Sequence, residues 1–286
     1  MKLSEAMREK MLLSFELFPP KTEKGMANLP GTIEHLMKYR PEYISCTYGA
    51  GGGNVGANRE VCQMIRNAGT IPVTHFTVIK NTKEGIRQQL ERYLADGVDH
   101  MLALRGDIPK DNAFPLPNQY RYACELIEDI KQQGDFCIGA ACYPEGHVET
   151  EHKKDDISNL KTKVDCGVDF LTTQMFFDNS IFYNYMYRLR EAGVLVPVIA
   201  GIMPITRKNQ VERSIQLSGS CVPARFKSIV DWFGDDPAKM KQAGIAYATD
   251  QIIDLIANGI SHIHVYTMND PEVAVGIMNN LSAILH

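Results

Sequence analysis

An α/β fold, closed into a (β/α)8 or TIM barrel, is predicted by three features of the sequence. Eight short apolar, β-branched runs alternate with longer segments of helical period, the pattern of parallel βαβ units. Strand ends fall at positions 16, 47, 75, 107, 143, 174, 204 and 266, a repeat of about 30 residues whose last step is double. Neither a proline-rich linker nor a break in composition divides the 286 residues, so one barrel domain spanning 1–286 is expected.

The strands are read in order at Leu12–Leu17, Tyr43–Thr47, Pro72–Thr77, His100–Leu104, Cys137–Tyr143, Phe170–Gln174, Val196–Ile202 and His262–Tyr266. Each is short and rich in residues that suit a buried sheet. The intervening segments repeat apolar residues three or four apart. Asn81–Asp96 carries Ile86, Leu90, Tyr93 and Leu94 in that pattern, and Tyr120–Gln133 carries Cys124, Ile127 and Ile130. Gly69, Gly97, Gly134, Gly167, Gly193 and Gly259 stand where left-handed helix caps are wanted. The double step before the last strand predicts extra helical material between strands seven and eight, including Phe226–Phe233.

Composition removes several classes of function. With 30 Lys+Arg against 34 Asp+Glu the formal charge is −4, and no basic block of five residues occurs. Nothing in this balance attracts nucleic acid or an anionic membrane. No run of 18 apolar residues could span a bilayer, and the first 20 residues lack the apolar core of a signal peptide. The seven cysteines include no C-x-x-C pair, so a reduced, cytoplasmic protein is expected. No metal site is expected either. His262 and His264 share one side of a strand without a third ligand nearby, which favours core packing or support of a site.

Polar residues gather where barrel strands should end. Strand one carries Glu16 before Leu17-Phe18-Pro19-Pro20, strand two Ser45 and Thr47, and strand three Thr74-His75. Strand four runs into Arg105-Gly106-Asp107, strand five into Ala141-Cys142-Tyr143-Pro144-Glu145, strand six into Thr172-Thr173-Gln174 and strand eight into His264-Val265-Tyr266-Thr267. In this fold the carboxyl ends of the strands converge on one mouth, so the joint placement predicts a ligand site there. Gly51-Gly52-Gly53-Asn54-Val55-Gly56 matches G-x-G-x-x-G, yet no acidic residue lies between Glu60 and Glu84 to hold a ribose. It is therefore not read as a dinucleotide fingerprint. Its backbone could still approach a phosphate closely.

Together SFELFPPK, CTYGAGG, PVTHFT, ALRGD, AACYPEGH, NLKTKVDCGVDFLTTQMFFD, AGIMPI and HVYTMN resemble, in order, the flavin-dependent methylenetetrahydrofolate reductases. The likeness runs from about Leu13 to about Asn269. It implies a barrel holding FAD at its carboxyl face, which reduces 5,10-methylenetetrahydrofolate to 5-methyltetrahydrofolate with NADH or NADPH. That reaction belongs to one-carbon metabolism and methionine biosynthesis. By resemblance Glu16 is the catalytic acid, and Asp107 lies near the flavin, where its charge would favour a cationic folate iminium. Thr47, His75, Arg105, Gly106, Asp107, Tyr122, Ala141, Tyr143, His147, Asp156, Asn159 and Lys163 match the FAD contacts. Gln174, with Tyr266 nearby and Glu16, matches the folate contacts.

A carboxylic acid suits this chemistry because the methylene bridge must open with a proton on the departing nitrogen. The neighbours Phe15, Phe18, Pro19 and Pro20 are expected to provide it with apolar surroundings. Three positions depart from the bacterial pattern. Lys208 replaces an aromatic residue, Asp270 an arginine, and Thr162 a basic residue. Lys208 and Asp270 suggest slow reduction by NADH and an electron-donating partner protein. A flavin-binding subunit of an electron-transfer complex and a pterin-dependent methyltransferase barrel remain alternatives. A homo-oligomer is expected.

Overall fold

The computed structural model describes residues 2–48, 55–79, 81–108, 114–115, 117–150 and 152–285. Eight parallel strands pair in chain order and close on themselves: β1 (Leu12–Leu17), β2 (Tyr43–Cys46), β3 (Ile71–Thr77), β4 (His100–Leu104), β5 (Cys137–Cys142), β6 (Phe170–Thr173), β7 (Val198–Ile202) and β8 (His262–Tyr266). The predicted TIM barrel is therefore present. In the β1–β8 pairing Ser14 lies opposite His264 and Glu16 opposite Tyr266, while β2 sets Ser45 beside Glu16. Strand alternation points Glu16 to the barrel axis and Phe15 and Leu17 outward.

The outer layer comprises α2 (Glu23–Met37), α3 (Val55–Asn67), α4 (Lys83–Ala95), α5 (Ala123–Gln133), α6 (Lys153–Asp165) and α7 (Asn179–Glu191), with α11 (Pro271–Leu281) after β8. Phe15, Leu17, Leu29, Ile33, Phe76 and Ile86 belong to the continuous core between strands and helices. Gly69, Gly97, Gly167, Gly193 and Gly259 take positive φ after their helices as expected. Gly134 does not: its φ of 170° is extended, so that helix ends without a left-handed cap.

A short helix not anticipated from the sequence, α1 (Leu3–Glu9), closes the amino-terminal end of the barrel. Leu3 and Met7, one helical turn apart, pack with Leu12, Tyr43, Val73, Leu102 and Phe170. The lower barrel is thus filled by side chains, as this fold requires, and the open space lies above. Small residues make that filling possible. A Cβ on Gly139 would lie 2.5 Å from the Phe170 ring.

Between β7 and β8 the chain forms α8 (Lys208–Ser218), α9 (Ala224–Phe233) and α10 (Pro237–Ala257), which is the extra helical material expected there. Phe226, Val230 and Met240 join Met175, Phe177 and Ile205 in a separate apolar cluster, with Tyr266 packed against it. The added helices therefore brace one lip of the mouth. Gly244 allows the close crossing, since a Cβ there would sit 1.8 Å from the Ile205 carbonyl oxygen. Among the described residues no helix is long and apolar enough to cross a membrane.

Candidate active site

The carboxyl mouth opens into a cavity of about 420 Å³. Glu16, Thr47, His75, Arg105, Gly106, Asp107, Ala141, Tyr143, His147, Gln174 and Tyr266 all line it. Gly106 takes a φ of +87°, and its turn at the end of β4 carries Arg105 and Asp107 onto the rim. Glu16 lies at the centre. Its Oε2 is 3.3 Å from His75 Nε2 and 3.8 Å from His264 Nε2, and its backbone carbonyl accepts from Thr267 Oγ1 at 2.7 Å. Burial pushes the His75 imidazole below its ordinary range; Glu16 opposes that shift and His264 adds to it. A neutral ring is the favoured form.

Tyr266 donates its hydroxyl to the Thr173 carbonyl at 2.6 Å, fixing the ring against the wall. Burial, then the nearby Glu16, raises this phenol well above its usual value, so it stays a neutral donor. Gly201 makes the contact possible: a Cβ there would meet both the Thr173 oxygen and the Tyr266 hydroxyl at 2.5 Å. Gln174 turns its Oε1 to accept from Met175 N at 2.9 Å.

Leu104, Arg105, Ala141, Tyr143 and His147 also line a second cavity of about 490 Å³. It continues outward between α5 and α6, where Tyr122, Asp156, Asn159 and Lys163 complete the wall. The two spaces share one wall and hold every residue matched to the family's flavin and folate contacts, whereas Thr74, Glu145 and Thr267, also read at strand ends, line neither. Lys163 donates to the Ala141 carbonyl at 2.7 Å, and burial pushes its ammonium below the usual range. Burial likewise raises the Asp156 carboxyl. The Tyr143 phenol, pushed up to about 12 by burial, meets the His147 ring edge-on at 4.6 Å. Arg105 forms a two-pronged pair with Glu149, both contacts 2.7 Å, which holds Glu149 below the ordinary carboxylate range.

Several sequence expectations need correction. Glu16 is not wrapped by its sequence neighbours: Phe15 faces the outer core, and the carboxyl faces imidazoles instead. Lys208 starts α8 and pairs with Asp235 at 2.8 Å, and it does not line the mouth cavity. Asp270 caps α11, accepting from Glu272 N at 3.1 Å, and pairs with Lys241 at 3.0 Å. Helix geometry therefore accounts for the acid there. Thr162 does line the second cavity. The glycine-rich loop lies largely outside the described residues.

Sequence reading missed Tyr43 and Met175 on the cavity wall and the Glu149 partner of Arg105. Tyr43 could have been found by alternation, since it shares its strand face with Ser45 and Thr47.

By fold and site the molecule is a barrel enzyme, with its chemistry at the carboxyl ends of the strands. Residues 2–282 match the family model described as methylenetetrahydrofolate reductase, and the chain belongs to that family. A 5,10-methylenetetrahydrofolate reductase of Pectobacterium carotovorum subsp. carotovorum is 32% identical over 270 residues, which cover 94% of this chain and 89% of that protein. Methylenetetrahydrofolate reductase (NADH) 1 of Arabidopsis thaliana is 33% identical over 285 residues, covering 95% of this chain but 48% of the plant protein. Among solved structures, an uncharacterized protein from Clostridium thermocellum that binds two copies of 5-methyl-5,6,7,8-tetrahydrofolic acid has a TM-score of 0.68. At 15% identity, over 98% of each chain, it shows the same fold.

Proposed function

We propose that this chain reduces 5,10-methylenetetrahydrofolate to 5-methyltetrahydrofolate, using bound FAD and a reduced nicotinamide. One observation carries the reading. The residues that match the family's motifs, dispersed from Glu16 to Tyr266 in sequence, line two adjoining cavities around a central carboxyl group. The naming of the Arabidopsis relative as an NADH enzyme supports a nicotinamide as reductant.

The shape and donors of the site fit FAD. A barrel mouth joined to a second cavity, lined by Arg105 and Lys163 beside Glu149 and Asp156, suits a flat ring with a long tail. Arg105, His147 and Lys163 offer the positive or donating groups that diphosphate oxygens need. Tyr122, Asp156 and Asn159 complete that cavity, while Thr47, His75, Gly106, Asp107, Ala141 and Tyr143 border the place for the ring. When bound there, FAD supplies the hydride.

The chain's own residues handle the proton and the substrate. Glu16 gives its proton to the folate nitrogen as the bond from that nitrogen to the methylene carbon breaks. The bond's electron pair takes the proton and leaves a cationic iminium, which accepts the hydride and becomes the methyl group. Asp107, on the rim of the same cavity, lowers the cost of that positive charge. Gln174 and Tyr266 hold the pterin. The seven free thiols support a cytoplasmic setting.

Anaerobic absorption spectra test the reading directly. The purified protein is expected to be yellow, to bleach with NADH or NADPH, and to recover colour on adding 5,10-methylenetetrahydrofolate as 5-methyltetrahydrofolate forms. A colourless protein that takes up no added FAD overturns the flavin reading and favours the methyltransferase. Bound flavin that neither nicotinamide reduces points to an electron-donating partner protein.

Gly201→Ala probes the folate wall. Its Cβ must displace Tyr266 from Thr173, so the KM for folate is expected to rise about tenfold, the scale of one lost hydrogen bond with some strain. Flavin content should be unchanged. Steady-state kinetics with a flavin extinction measurement check both.

A further inference from the structure

Asn58, in the first turn of α3, is wholly buried and lines neither cavity, yet its amide ties four elements together. Its side-chain nitrogen donates to the Cys46 carbonyl at 3.1 Å and to the Thr47 carbonyl at 3.0 Å, at the end of β2. A carbonyl can only accept, so these two contacts fix the amide with its nitrogen toward β2. Its oxygen then lies 2.8 Å from Thr74 Oγ1 on β3 and 2.7 Å from the Tyr93 hydroxyl on α4. An amide oxygen carries no hydrogen, so contacts that short require both hydroxyls to donate to it. Thr74 Oγ1 is farther, 3.1 Å, from the His75 carbonyl. The Cys62 thiol adds a weak third donor at 3.6 Å.

The place of these bonds in the sheet gives them their meaning. The β2–β3 register ends at the pair Cys46 and Thr74, so beyond it the ladder no longer joins the two strands. The Asn58 amide takes over there, reaching one residue further along β2. Thr47 lines the mouth cavity, and its N–H donates to the Leu17 carbonyl at 3.0 Å. With its own carbonyl held by Asn58, both polar groups of its backbone are engaged within the wall. The hydroxyl is what this residue can offer a ligand. On the other strand His75 follows Thr74, lines the same cavity and stands 3.3 Å from Glu16. One buried amide thus holds, from behind, two strand ends whose next residues border the place proposed for the flavin ring.

We propose that Asn58 is a positioning residue for the flavin site: it clamps Thr47 beyond the last β2–β3 pair, so that the Thr47 hydroxyl stands in place before FAD binds. This rests on the function proposed above. A wall ordered in advance saves the binding energy that would otherwise be spent on ordering it. Asn58 acts through Thr47 and itself touches no ligand.

Hydrogen exchange in the FAD-free protein tests the clamp. Asn58→Asp keeps the size and the accepting oxygen, but at most one hydrogen remains for the two carbonyls. The Thr47 N–H is expected to exchange about tenfold faster in this variant, the scale of one lost buried hydrogen bond. An unchanged exchange rate overturns the proposal. A double-mutant cycle, read by flavin fluorescence titration, tests the link to the cofactor. Asn58→Asp and Thr47→Val are each expected to weaken FAD binding about tenfold, and the double variant to bind no worse than either alone. A purely structural Asn58 would instead give losses that multiply, and that result, or wild-type affinity in Asn58→Asp, overturns the proposal. If Asn58→Asp fails to fold, Asn58→Ser, which also offers one hydrogen, enters both measurements with the same expectations. The exchange measurement needs no cofactor. A wild type that takes up no FAD, while Asn58→Asp frees the Thr47 N–H, would therefore sink the proposed function and leave the hold on β2 standing.

Discussion

Glu16→Gln is expected to slow reduction of 5,10-methylenetetrahydrofolate by about 10²–10⁴-fold, the usual worth of a general acid, while flavin reduction by a nicotinamide survives. Glutamine matches the carboxyl in size and keeps an oxygen and a nitrogen for hydrogen bonding, so the cavity should not collapse around it. What it lacks is a proton that can leave at neutral pH. The two half-reactions share one cavity but differ in need, since hydride transfer from a nicotinamide to the flavin requires no opening of a carbon–nitrogen bond. Stopped-flow traces of each half-reaction separate a lost proton donor from a damaged site. Equal loss in both would make Glu16 a structural partner of His75 and His264 instead.

That choice could not be made from sequence because the neighbours of Glu16 come from other strands. The run Phe15 to Pro20 suggests an apolar pocket, but strand alternation sends Phe15 to the outer core. The imidazoles arrive from β3 and β8, 59 and 248 positions along the chain, and only barrel closure brings them to one oxygen. The barrel itself was legible because its signals are local: short β-branched runs, helical spacing and glycine stops recur within each unit. The cavity-lining residues were legible as strand ends, and the fold converts strand ends into neighbours. Side-chain pairing was not legible. Lys208 reads as a basic substitute for an aromatic wall, yet Asp235, 27 residues later, draws it away. Asp270 reads as a lost arginine until α11 shows the acid to be its cap.

Lys163→Met is expected to weaken FAD binding by about 10²-fold, so that the variant loses its colour during purification. Methionine keeps most of the length and apolar bulk of the lysine stem, and the loss is that of the charged head alone. In the wild type this ammonium is buried, donates to the Ala141 carbonyl, and faces a cavity whose other cation, Arg105, is already engaged by Glu149. An anionic diphosphate would therefore depend on Lys163 more than on the exposed positive charges around the rim. The pH dependence has a definite sign. Burial lowers the Lys163 value in the free protein, so the amine loses its proton earlier than an exposed lysine as pH rises. An anion beside it favours the charged form, and binding above the free-state value must then take up a proton. FAD affinity in the wild type should accordingly fall as pH rises through that value, and the fall should be absent in Lys163→Met. Flavin fluorescence titrations across alkaline pH measure both. Undiminished affinity in the variant, or an identical pH slope in the two proteins, would remove Lys163 from the cofactor site and leave its bond to β5 as its only role.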